Sequence, residues 1–61
     1  MFDVKQSIEE RKAQGKHMIK FQVLGYSERY DVTSQLDKLG YVYDVYELEG
    51  DVPPFDIIVE I

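Results

Sequence analysis

Two stretches of strict alternation constrain this chain most. Ile19, Phe21 and Val23 fall at every second position in one stretch, and Phe55, Ile57, Val59 and Ile61 do the same in the other. Successive side chains of a strand point to opposite faces, so each run predicts a strand with one buried face. The first spans His17 to Leu24, with Lys20 and Gln22 on the other face, and Gly25 ends it. A third stretch, Tyr41 to Leu48, is aromatic and β-branched and also predicts a strand. It carries apolar side chains on both faces, Tyr41, Tyr43 and Val45 against Val42, Tyr46 and Leu48, which predicts burial on both sides.

The remaining segments have helical punctuation. Residues 3 to 14 begin with Asp3 as N-cap and Gln6 three positions on, a capping-box spacing, and Gly15 stops the helix. Its apolar stripe is thin: Val4 and Ile8, with Phe2 before and Ala13 after. That predicts a surface helix, or one completed by another chain. Residues 31 to 39 place Val32, Leu36 and Leu39 on one helical face, with Asp31, Thr33 or Ser34 as caps. Gly40 followed by Tyr41 fits the left-handed turn of a Schellman motif. A competing reading makes Glu28 to Val32 a strand hairpinned to the first one.

The expected fold is therefore α+β: one small domain over residues 1–61, in the order α-β-α-β-β, with two helices on a three-stranded mixed sheet. Residues 26 to 40 are long enough for a crossover between parallel strands. The short loop through Pro53 and Pro54 makes the last two strands antiparallel neighbours. A 61-residue chain buries only about 60% of the surface its unfolded form exposes, and with no cysteine it has no disulfide to help. One good amphipathic helix and a two-faced sheet imply that the second face is covered poorly or by another chain.

Catalytic signals are nearly absent. His17 is the sole histidine, the serines Ser7, Ser27 and Ser34 stand in no nucleophile context, and each glycine is isolated at an element end. Asp44, Glu47, Glu49 and Asp51 do not follow the spacing of a calcium loop. No enzyme, metal or cofactor is expected. No apolar run approaches the roughly 18 residues of a membrane span, and residues 1–7 hold no signal-peptide core, so a cytoplasmic protein is expected.

Charge is the most informative feature. The net charge is −5, which disfavours nucleic acid or an anionic membrane as partner. Arg11, Lys12, Lys16 and Lys20 cluster at the end of the first helix, where cations favour the helix dipole. Residues 41–61 hold Asp44, Glu47, Glu49, Asp51, Asp56 and Glu60 with no lysine or arginine. One reading gives these acids a solubilising role at strand edges.

The sharper reading makes them a recognition surface for a basic protein, with Tyr41, Tyr43, Asp44, Tyr46, Glu47, Glu49 and Asp51 as the partner-binding residues. If the strand continues past Leu48, Glu47, Glu49 and Asp51 share a face at a repeat of about 6.7 Å, a spacing that imitates a phosphate backbone. Small phage-encoded proteins that mimic DNA have a similar composition, an analogy without a shared motif. The expected function is a non-catalytic inhibitor or regulator of a basic, nucleic-acid-handling protein. The alternative is a homo-oligomer, a dimer in its simplest form, whose aromatic sheet face is the interface or whose basic end meets the acidic block of a second copy.

Overall fold

The computed structural model describes residues 3–61. The elements are α1 (Val4–Ala13), β1 (Met18–Leu24), α2 (Gly25–Leu39), β2 (Tyr43–Glu47) and β3 (Pro54–Glu60), the expected α+β order. Asp3 caps α1, its side chain accepting the Gln6 backbone N–H at 3.1 Å. The Gln6 side chain turns forward to Glu10 at 3.4 Å rather than back to the cap, so only half of a capping box forms. Phe2, expected to extend the apolar stripe of α1, lies outside the described residues.

Both helices end in Schellman turns. Lys16 N–H returns to the Arg11 carbonyl and Gly15 N–H to Lys12; Tyr41 N–H returns to Leu36 and Gly40 N–H to Asp37. The left-handed residues these turns require are Gly15 at φ 77° and Gly40 at φ 79°.

Helix α2 starts six residues earlier than the cap signals predict, and the strand reading of 28–32 is not realised. Thr33 and Ser34 do not cap; their hydroxyls donate back to the Tyr30 and Asp31 carbonyls inside the helix. The true entry is Gly25, whose φ of +83° swings the chain directly from β1 into the helix. Its N–H donates to the Pro53 carbonyl at 2.9 Å, and a Cβ there would meet Val52 Cγ1 at 3.3 Å. Glu28 reaches back to the Leu24 N–H at 3.4 Å, supplying an acceptor where no N-cap side chain exists.

The sheet has the order β1-β3-β2 and is antiparallel throughout, so the expected mixed sheet is corrected. The β2–β3 neighbour pairing is as expected, but β3 also pairs with β1 and separates the two strands that run parallel. The physical reason is in β3 itself. Ile57, Ile58 and Val59 are contiguous and apolar, so this strand has apolar side chains for both faces and takes the centre. Pro54 stands at its first position, where a missing N–H interrupts no ladder.

One core holds the molecule together. Ile19, Phe21 and Val23 of β1 and Phe55, Ile57 and Val59 of β3 meet Val4 and Ile8 of α1 and Val32 and Leu36 of α2. Both helices therefore lie on one face of the sheet, whereas the expectation has the second face covered poorly by α1 or by another chain. The thin stripe of α1 suffices because both of its apolar residues are fully buried, each contributing roughly 1.5–3 kcal/mol. The Val4 N–H donates to Gln35 Oε1 at 3.3 Å, tying the start of α1 to α2.

Among the described residues, none forms a layer on the opposite face of the sheet. Strand β2 is accordingly not buried on both sides: Val42 is 70% and Tyr46 55% exposed, while Tyr43 and Val45 are half-buried against the core. Among the described residues, no helix is long and apolar enough to cross a membrane.

Candidate functional site

Strand alternation divides the seven expected binding residues into three places. Tyr41 and Tyr43 turn toward the helices and pack against the core. The Tyr41 hydroxyl accepts from Lys12 Nζ at 2.8 Å, and the same ammonium lies 5.1 Å from the ring centroid. The Tyr43 hydroxyl donates to Asp37 Oδ1 at 2.9 Å. That hydrogen bond to a carboxylate, followed by desolvation and by the Asp37 charge, raises its pKa above the usual 10, with Arg29 opposing. These two tyrosines join α1 and α2 to the strand side of the molecule. They hold the fold and are not free anchors.

Glu47, Glu49 and Asp51 form the second group. Strand β2 stops at Glu47, so these carboxylates do not form the regular ladder the alternation would give. The loop instead curls them around a shallow cleft of about 520 Å³ with Tyr26 and Pro53 on its walls. The Tyr26 hydroxyl donates to Glu47 Oε1 at 3.2 Å, and its ring stands edge-on to Phe55 at 5.3 Å between centroids.

Asp44 and Tyr46 are the third group, and they lie on the uncovered face. The strand registers align Lys20, Ile58 and Asp44 in one row across this face, and Gln22, Asp56 and Tyr46 in the next. Beyond the first row lie Met18 and Glu60, and the Glu60 N–H donates to the Val42 carbonyl at 3.2 Å. The surface is thus an apolar centre, Ile58 with Tyr46, Val42 and Met18 around it, set among three carboxylates and one ammonium.

Asp56 differs from the other acids. Its Oδ1 is covered by protein and has no donor within reach. Sequence reasoning placed Asp56 in the acidic block but missed it and Ile58 as site residues. The signal was available: in Phe55-Asp56-Ile57-Ile58-Val59 the period of two sets Asp56 and Ile58 on the face opposite the core.

The remaining candidates are dispersed. His17 has an exposed side chain, and its carbonyl accepts the Ile61 N–H at 2.9 Å. Among the described residues, no three histidine, aspartate or glutamate side chains converge as a metal site would require. Fold and surface together define a two-layer α+β domain whose sheet is covered on one face only. No family model, no curated protein and no solved structure matches the chain.

Proposed function

We propose that this chain is a non-catalytic protein-binding module that works through its acidic, tyrosine-bearing surface, residues 41–60, on a basic protein. In its most specific form it is a cytoplasmic inhibitor or regulator that occupies the basic site of a nucleic-acid-handling protein, in the manner of a DNA mimic. One observation carries the reading. Of the six acids in this segment only Glu47 has a side-chain partner; the carboxylates of Asp44, Glu49, Asp51, Asp56 and Glu60 have no cation or donor side chain among the described residues. Among the described residues Lys20 is the one cation that shares the sheet face with Asp44 and Asp56; Lys12 is engaged with Tyr41, and Arg29 stacks 5.2 Å from the Phe55 ring centroid on the helix side. Uncompensated charge of one sign on a small rigid scaffold favours a partner of the other sign and speeds its encounter.

The test is calorimetric titration into a panel of basic nucleic-acid-binding proteins, with short duplex DNA as competitor. The expected result is binding that DNA displaces and that weakens steeply between low and high salt. Absence of binding across the panel at low salt, or an affinity indifferent to salt, overturns the proposal.

A second reading, a homodimer through the uncovered face, is favoured by the exposure of Met18, Val42 and Tyr46 on that face. Solution mass by light scattering separates the two.

A further inference from the structure

We infer that the free edge of β1 pairs antiparallel with the β1 edge of a second copy, joining the two sheets into one. This goes beyond the proposed function and does not depend on it.

The backbone identifies the groups on that edge. The His17 carbonyl accepts the Ile61 N–H and the Gly25 N–H donates to the Pro53 carbonyl, so the odd-numbered residues between them turn toward β3. Met18, Lys20, Gln22 and Leu24 therefore turn their N–H and C=O groups outward. Among the described residues, only the Leu24 N–H finds an acceptor there, Glu28 Oε1 at 3.4 Å. The other edge of the sheet is guarded. Strand β2 is five residues long against seven for β1, carries Asp44 and Glu47, and runs into the loop that holds Pro53. Short length, charge and proline keep an edge from pairing, and of these β1 has only Lys20.

The sequence of β1 selects the occupant. On the uncovered face it reads Met18, Lys20, Gln22, Leu24: apolar, polar, polar, apolar. Reversed, the order is the same. An antiparallel copy centred on Phe21 sets Met18 opposite Leu24 of the second copy and Lys20 opposite its Gln22. Met18 is 55% and Leu24 54% exposed, and this register brings the two together. On the helix side Phe21 meets its own counterpart, and Ile19 meets Val23. The Met18, Lys20 and Gln22 N–H groups of each copy then donate to the Leu24, Gln22 and Lys20 carbonyls of the other, while the Leu24 N–H keeps Glu28. The neighbouring registers of the same phase are worse. One sets Lys20 against Lys20, opposing two ammonium groups; the other sets Gln22 against Gln22 and leaves Met18 without a strand residue opposite.

Charge elsewhere in the molecule does not oppose this contact. A groove of about 290 Å³ between α1 and Ile19, lined by no residue of β3, opens on this side. Its other lining residues are Ser7, Glu10, Arg11 and Gln14, whose charges cancel, so two copies meeting here bring together no excess of one sign. The acids at 44–51 lie on β2 and its loop, beyond the central strand from β1. Pairing at β1 keeps the acidic segments of the two copies apart and leaves both accessible. One strand about 23 Å long from each copy is a small contact, of the size that gives weak and reversible association.

The experiment is sedimentation equilibrium of the full chain from micromolar to millimolar concentration, with amide hydrogen exchange followed by NMR at both ends of that range. The mass is expected to rise from 7.2 kDa toward twice that value. Protection is expected to increase at Met18, Lys20 and Gln22, whereas Tyr43, Val45 and Glu47, which face the other edge, exchange as before. Gln22→Pro removes an outward N–H and no bond of the ladder to β3, so it is expected to keep the native spectrum and weaken association about tenfold or more. Gln22→Lys sets like charges opposite one another and is expected to weaken association several-fold at low salt, a loss that high salt reverses. Should Gln22→Pro fail to fold, Gln22→Lys decides.

A mass of 7.2 kDa at every concentration overturns the inference. A dimer protected at Tyr43, Val45 and Glu47 pairs through β2 and overturns it as well. So does a dimer without added protection at Met18, Lys20 and Gln22, whose contact lies on a face of the sheet, and so does a Gln22→Lys variant that associates as tightly as the wild type. None of these outcomes bears on the basic partner of the proposed function, which is read by titration.

Discussion

The two faces of this sheet are built from the same three strands and differ only in which alternate residues they receive. Toward the helices, Ile19, Phe21 and Val23 meet Phe55, Ile57 and Val59, and all six are buried. Away from them, one position along, Lys20 and Gln22 stand beside Asp56 and Ile58, with Asp44 and Tyr46 beyond. The first face is a core that any apolar set of similar volume would fill. The second mixes apolar and charged side chains, and its residues are less deeply buried. A single backbone thus gives its two faces different compositions at a spacing of one residue.

The largest test of that difference is to truncate both faces. Leu36→Ala or Ile57→Ala, each removing a fully buried side chain, is expected to cost about 2–5 kcal/mol, enough to unfold much of a domain this small. Ile58→Ala, on the uncovered face, is expected to cost about 1 kcal/mol. Urea unfolding followed by circular dichroism measures both, and equal losses would show that the second face belongs to the core.

Next in size is the joint that puts α2 on the same side as α1. Gly25→Ala forces a side chain into a left-handed conformation and against Val52, with an expected loss of about 1–2 kcal/mol. Thermal unfolding checks it, and a neutral result would mean that the turn has another way to close.

A third change sharpens the contrast by running in the other direction. Asp56→Val removes a covered, donorless carboxylate oxygen and adds a β-branched residue to a central strand, so stability is expected to rise by about 1 kcal/mol. Urea unfolding measures the change, and a variant less stable than the wild type would show that the carboxylate is not a net cost to the fold.

The smallest effect concerns Tyr43, on the covered side. Tyr43→Phe removes the hydrogen bond to Asp37 at the expense of about 0.5 kcal/mol near neutral pH. Because the folded pKa lies above the unfolded value, this contribution is present below about pH 10 and is lost as the pH rises through the folded pKa. Stability of wild type and variant should therefore converge in alkaline solution; a gap constant across that window would show that the phenol titrates as it does unfolded.

Local chemistry was legible in the sequence wherever it was decided by neighbours along the chain. The Asp3 cap, the turns at Gly15 and Gly40 and the alternation of both outer runs all follow from residues within a few positions of one another. What was not legible depended on distant residues. Thr33 and Ser34 look like caps, but Gly25, Pro53 and Val52 together settle where α2 begins. The central place of β3 against the expectation for β2 is a competition between two apolar strands for the same neighbour, and only pairing decides it. The candidate site followed suit: the acidic character of residues 41–61 was plain, whereas its division between core-side tyrosines, a loop cleft and the uncovered face required the register.

That central place also sets the order of events on the ribosome. Of the three strands, β3 is the last to be synthesised, and it is the one both others require. Until residues 54–60 emerge, β1 and β2 have no neighbour to bond, and the apolar faces of α1 and α2 have no complete sheet to cover. Assembly of the sheet therefore waits for residues 54–60, because every strand–strand pairing of the molecule includes β3.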